Sequence, residues 1–208
     1  LNMTASKIAN DAIPTEAFAN TKLRWYASPC TITSVGSNIF KDCQELAAIT
    51  WNCDKVKLPN DVVTDVANPN MLVYAKDQAM IPYALKNVIV EGVANNIILA
   101  DSAGNNNFYC PEAFMARRIS YTHNYQQPTV RGTTQGWETL ALPFSVSKIT
   151  HETKGEITPS AVEGAERPFW LYELGDNGLK AATEIKANIP YLICMPNNDE
   201  YDDEYRLA

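Results

Sequence analysis

The sequence predicts a mainly β protein, a short repeat solenoid capped by a β-sandwich-like domain, and three observations carry that prediction. Apolar and aromatic residues recur at a spacing of 22 to 23 between residues 13 and 58. From Asn87 onward, short apolar runs alternate with turn residues, the texture of many brief strands. Only residues 112–118 and 179–185 read as short helices.

The repeat sets out the first domain, residues 1–75. Ile13, Phe18 and Leu23 are answered by Val35, Phe40 and Leu46, the last after one inserted residue. An imperfect third turn carries Ile49, Val56, Leu58, Val62 and Val66 and ends at Asn68-Pro69-Asn70. This spacing lies in the leucine-rich-repeat range, where one unit supplies a short strand and an irregular return path and buries its apolar face only against its neighbours. Phe18 and Phe40 are expected to stack inside, with Leu23, Leu46 and Ile49 on the strand side. Residues 71–75 read as a last parallel strand closing the stack.

Residues 76–208 read as the second, β-sandwich-like domain. Its expected strands are residues 87–92, 96–101, 119–125, 137–142, 169–174 and 191–194, with residues 102–107 a loop by composition.

Composition narrows the partners. A chain of 208 residues with 46% hydrophobic content can build a real core. A net charge of -7 without a Lys/Arg-rich run argues against nucleic acid and anionic lipid. No apolar stretch approaches the roughly 20 residues that span a bilayer as a helix, so membrane insertion is not expected. The chain opens at Leu1 without a leader and closes at Ala208 without punctuation, which suggests a fragment whose export signal lay upstream.

The repeat resembles the BspA-like class of leucine-rich repeats, in which a small-aromatic step precedes a cysteine, a leucine and an isoleucine. Ile39-Phe40, Cys43, Leu46 and Ile49 reproduce that pattern, and Ala17-Phe18 and Leu23 reproduce it with Asn20 at the cysteine-like position. Residues 136–146, 169–174 and 185–193 look like a β module recurring in secreted and surface proteins of anaerobic Gram-negative bacteria. The resemblance implies an exported location, extracellular or at the cell surface, and no assigned reaction. It leads to a non-catalytic interaction or adhesion module whose partner is a host or bacterial surface protein or a glycan. One alternative is a carbohydrate-binding accessory domain, which asks for an exposed coplanar aromatic pair. The other is an enzyme of unrecognised type, which asks for two carboxylates sharing a pocket.

Glu138, Glu152, Glu156, Glu163 and Glu173 alternate with apolar neighbours and read as solvent-facing. His123, on the same side of its strand as Tyr121 and Tyr125, reads as structural. Two distant histidines and scattered cysteines predict no metal site and no cofactor. The acidic run 199–204 lacks the spaced ligands of a calcium loop and reads as solvated. Cys30 and Cys53, 23 residues apart, fall at equivalent points of successive coils, a spacing compatible with a disulfide in an exported protein. Asp101-Ser102-Ala103 resembles the O-glycosylation acceptor of this bacterial group, which points to Ser102. Trp137 and Trp170 lie in strong apolar strands and read as core. Trp25, Tyr26 and Trp51, just past the leucine of each repeat, are the expected outward-facing binding residues.

Overall fold

The structure is a computed structural model describing residues 1–62, 68–101, 108–202 and 206–207. Val66 and Ser102, both singled out in the sequence, lie outside the described residues, as do Asp203 and Glu204 of the acidic run. The protein is mainly β with almost no helix, and about five turns stack in the manner of a β-solenoid. The chain divides into two compact units, Leu1–Asn124 and Tyr125–Ala208.

The first unit contains β1 (Ala12–Ile13), β2 (Trp25–Ala27), β3 (Ser34–Val35), β4 (Ala48–Trp51), β5 (Leu72–Ala75), β6 (Val88–Val90), β7 (Val93–Ala94), β8 (Ile97–Asp101), β9 (Met115–Ala116) and β10 (Ile119–His123). Its repeat is set by parallel pairing between successive coils. Ala12 pairs with Ser34 and Ile13 with Val35, 22 residues on. Trp25 pairs with Ala48, 23 residues on, and Ala48 with Leu72, 24 on. Between strands the coils continue to bond: Phe18 N donates to the Ile39 carbonyl at 2.9 Å and Asn20 N to the Lys41 carbonyl at 2.8 Å.

The bends repeat with the strands. Glu16 and Asn38 both have φ of 55°, and Asn20 and Asp42 have φ of 59° and 57°, so these two successive coils turn through the left-handed region at the same two places. The polar side chains at these bends suit conformations that β-branched residues resist. Gly36 is required by close approach, since a Cβ there would sit 2.7 Å from the Thr15 Cα of the preceding coil.

Alternation along the strands then chooses the core. Tyr26, Ile49 and Val73 form one inward row, and Trp51 and Ala75 form the next. Phe18 lies on Phe40 with centroids 5.6 Å apart and planes 17° from parallel, as the repeat predicts. Phe40 is buried, whereas Phe18, in the first coil, is only partly covered.

Parallel stacking continues beyond residue 75, so Leu72–Ala75 does not close it. Val73, Tyr74 and Ala75 pair with Val88, Ile89 and Val90 after a coil shortened by a 3-10 turn at Gln78–Met80. The Asp77 carboxylate accepts from Ala79 N at 2.8 Å and holds that turn. β6 then reverses into β7 through Glu91 and Gly92, both at positive φ, the geometry of a two-residue hairpin turn. A separate parallel pair, β8 and β10, joins Ile97 to Ile119.

The outer row of the β2-β4-β5-β6 sheet, Ala27, Thr50, Tyr74 and Ile89, is buried as well. The segment after residue 108 covers part of it. The Tyr74 hydroxyl donates to the Glu112 carbonyl at 2.8 Å, and Phe114 meets the Tyr74 ring edge-on.

The second unit contains β11 (Trp137–Leu140), β12 (Thr150–His151), β13 (Gly155–Glu156), β14 (Thr158–Pro159), β15 (Pro168–Gly175), β16 (Gly178–Ala181) and β17 (Tyr191–Cys194). Its main sheet has the order β11-β17-β15-β14, with β16 hairpinned onto β15, and β12 and β13 form a separate two-stranded pair.

Neither expected helix forms among the described residues. Residues 112–118 contain the short strand β9, and residues 179–185 begin in β16, where Leu179 faces Leu174 across the hairpin. Pairing to an existing strand outweighs the weak helical propensity of segments this short.

Candidate functional site

The site develops on the main sheet of the second unit. Along β15 the burial alternates: Phe169 and Leu171 are buried, while Trp170 and Tyr172 are only half-buried. Trp137 and Trp170 both register with Cys194, from β11 and β15 respectively, and therefore share one face of the sheet. The opposite face, with Leu140, Phe169, Leu171, Tyr191 and Ile193, supplies buried apolar side chains. Trp137 and Trp170, which the sequence assigns to the core, are half-buried instead. A strand apolar at both parities gives no periodic signal for which face is covered.

Each of these tryptophans leans on a tyrosine. Trp137 meets Tyr172 at 5.7 Å and 51°, and Trp170 meets Tyr201 at 5.6 Å and 52°, both tilted rather than coplanar. Tyr201, expected in a solvated acidic tail, is instead buried, and the Arg131 guanidinium lies 4.7 Å from the centre of its ring. Burial raises the Tyr201 hydroxyl above its ordinary value, and the hydrogen bond with Arg131 pulls it partly back.

Arg131 is held in place by the segment before it. Buried Thr129 bonds through its hydroxyl to the Met195 carbonyl and lies 3.2 Å from the Cys194 thiol. Its N–H donates to Asn197 Oδ1 at 2.8 Å, and its carbonyl accepts from the Asn198 amide. Gly136, at φ +82°, passes so close that a Cβ would lie 2.6 Å from the Thr129 Cα. Arg131 N also donates to Glu200 Oε2 at 3.3 Å. The result is a cleft of about 360 Å³ whose walls include Arg131, Ser160, Pro168, Trp170, Tyr201 and Asp202. Two aromatic rings, two hydroxyls, one guanidinium and one carboxylate line a common space, the mixture typical of a small polar ligand site.

The residues expected to bind from the first unit behave differently. Tyr26 and Trp51 are each 0% exposed. Trp25 aligns with Ala48 rather than with Trp51, which stands three residues further along β4 and so faces the opposite side. Trp51 points inward and donates its Nε1 to the Val56 carbonyl at 2.9 Å. Trp25 points outward but is half-buried, bonded to Thr50 Oγ1 at 3.0 Å with Tyr109 6.3 Å from its ring. The binding surface expected at Trp25, Tyr26 and Trp51 is therefore corrected. Burial pushes the Tyr26 hydroxyl far above its ordinary value.

Cys30 and Cys53 are both free, so the pairing that their spacing allows is not formed. The two coils diverge after the strands: the Cys53 thiol turns inward onto the Ile32 carbonyl at 3.2 Å, while Cys30 is exposed. His123 Nδ1 lies 2.8 Å from Asp101 Oδ2, and its ring stacks on Tyr121, with planes 25° apart. That contact ties β10 to β8 at their paired ends.

Glu156 is exposed and pairs with Lys148 at 2.9 Å, and Glu138 accepts from Gln126 N at 3.1 Å. Among the described residues no cluster of three or more His, Cys, Asp or Glu side chains suits a metal ion. A second cavity, about 260 Å³ and in the first unit, is lined in part by Thr50, Tyr74, Glu91 and Glu112. It places two carboxylates on one cavity, a pairing that the sequence did not suggest because they lie 21 residues apart and outside any shared motif.

Fold and site together define a mainly β protein with solenoid-like stacking and an aromatic cleft on a mixed sheet, antiparallel except where β14 joins β15. Comparison of the chain with protein-family models, curated proteins and solved structures finds no match.

Proposed function

We propose that the chain is a non-catalytic interaction module of an exported protein of the BspA-like leucine-rich-repeat kind, binding a macromolecular partner at or beyond the cell surface. In this reading the first unit is a leucine-rich-repeat fragment, and a β-sandwich-like module follows it in the chain. The observation that supports binding is the cleft of the second unit, where Trp170 and Tyr201 stand beside Arg131 and Asp202. Aromatic and arginine side chains lining a concave site are the usual anchors of recognition. The purified chain, applied to an array of matrix proteins and glycans, is expected to show saturable binding to at least one member. Absence of binding across the array would overturn the proposal.

A second reading, an enzyme acting by paired carboxylates, rests on Glu91 and Glu112 in the smaller cavity. It predicts turnover of an arrayed substrate that is lost in both Glu91→Gln and Glu112→Gln. The interaction reading predicts none.

A further inference from the structure

We infer that the cleft formed by Arg131, Ser160, Trp170, Tyr201 and Asp202 is a glycan subsite that receives an uncharged sugar ring. The inference deepens the proposed binding function by naming the ligand class of the same cleft. Three features of the site select it.

The first is the aromatic wall. A pyranose has an apolar C–H face and a polar rim, so it binds where a flat ring lies beside hydrogen-bonding groups. Trp170 supplies the ring, and its position on β15 is fixed by backbone pairing to β17. Tyr201 stands against it at 5.6 Å, with the Arg131 guanidinium on the Tyr201 ring. An aromatic ring held on a sheet is ordered before the ligand arrives, which reduces the entropy lost on binding.

The second is the balance of polar groups. Arg131 donates, Asp202 accepts, and the Ser160 hydroxyl does either, so the cleft offers both halves of the hydrogen bonding that sugar hydroxyls need. One guanidinium and one carboxylate leave the lining without net charge. The chain as a whole carries a formal charge of -7, which disfavours acidic ligands such as sialylated or sulfated glycans.

The third is size. A space of about 360 Å³, within the usual range of small-molecule sites, holds a short stretch of sugar while leaving the rest of a longer chain outside. The tilt of the Trp170 and Tyr201 rings suits one sugar against Trp170, rather than a ring laid flat across a coplanar pair.

The test uses the full chain, titrated separately with neutral oligosaccharides built on glucose, galactose, mannose and N-acetylglucosamine, with their sialylated or sulfated counterparts, and with a polyproline peptide. Tryptophan fluorescence and calorimetry report binding. A neutral oligosaccharide is expected to bind at least tenfold more tightly than its acidic counterpart. Trp170→Ala and Arg131→Ala should each weaken it tenfold or more, whereas Trp170→Phe, which keeps a ring, should lose less than Trp170→Ala. Circular dichroism checks that each variant is folded, and Trp25→Ala, remote in sequence and in the other unit, should bind as the parent does.

Binding of the polyproline peptide, but of no sugar, at Trp170 would overturn the inference and leave the interaction reading standing. So would an array in which only proteins bind. Sugar binding unchanged in folded Trp170→Ala and Arg131→Ala would also overturn it. If neither sugars nor proteins bind, both fail.

Discussion

Replacing Trp51 with alanine tests the coil register most directly, because that register turns a presumed surface residue into a core one. Trp51 is 0% exposed and donates to the Val56 carbonyl. Truncating a buried Trp typically costs about 3 to 5 kcal/mol, and the carbonyl left without its donor adds about 1 kcal/mol. A unit spanning Leu1–Asn124 is expected to be stable by about 6 to 19 kcal/mol, so the change removes a large share. Trp25, outward and half-buried, should cost only about 1 to 2 kcal/mol on truncation. Urea titration followed by circular dichroism gives the overall loss. Amide hydrogen exchange, read on peptides covering β4 and β5, assigns that loss to the first unit. Equal costs for Trp25→Ala and Trp51→Ala, or a larger cost for Trp25→Ala, would refute the assignment of the two residues to opposite faces.

Buried polar and thiol groups lead to three further outcomes. Asn70 holds β8 as a neighbouring strand would, donating to the Ala100 carbonyl at 2.8 Å and accepting from Ala100 N at 2.7 Å. Asn70→Ala should therefore cost about 1 to 3 kcal/mol and speed exchange of the Ile97–Asp101 amides; unchanged protection there would contradict the role. In the native protein an alkylating reagent should modify the exposed Cys30 and Cys110 and spare Cys43, Cys53 and Cys194, with all 5 thiols titrating in denaturant without reductant. Burial pushes the Cys194 thiol up. Its raised folded value means that its contribution to stability is present below the ordinary thiol range, about pH 8.5, and declines as pH rises through the folded value. Fast native labelling of Cys194, or a contribution that grows with alkaline pH when compared with Cys194→Ala, would refute this.

Much of the fold was legible because repetition and alternation are one-dimensional signals. The 22-residue spacing of Phe18 and Phe40 predicted their stacking, and apolar runs bounded by turn residues located β6, β8, β10, β11, β15 and β17. Such patterns report which residues recur, and coil-to-coil pairing preserves that recurrence in space.

Facing and closure were different. Their place after a leucine in each repeat predicts a surface position for Tyr26 and Trp51, yet only the pairing of Trp25 with Ala48 decides which way each strand residue points. A shift of one residue reverses every side chain, so an irregular repeat with one insertion leaves facing open in the sequence. The same ambiguity surrounds Phe169-Trp170-Leu171-Tyr172, apolar at every position, where only the sheet assigns Phe169 and Leu171 to the core and Trp170 to the cleft.

The candidate site shows the division most sharply. By itself the sequence determined a β-rich chain with a coil repeat, a negative net charge and strands rich in aromatic residues, because composition and period are local properties. Tertiary structure alone decided that Arg131, Trp170 and Tyr201 should meet. They are separated by 39 and 31 residues in the chain, and no motif links them. They come together because β15 pairs with β17 while Thr129 binds the backbone that follows β17, bringing Arg131 onto Tyr201. Long-range backbone pairing creates that proximity, and its energy comes from sheet and core contacts that a linear pattern does not encode.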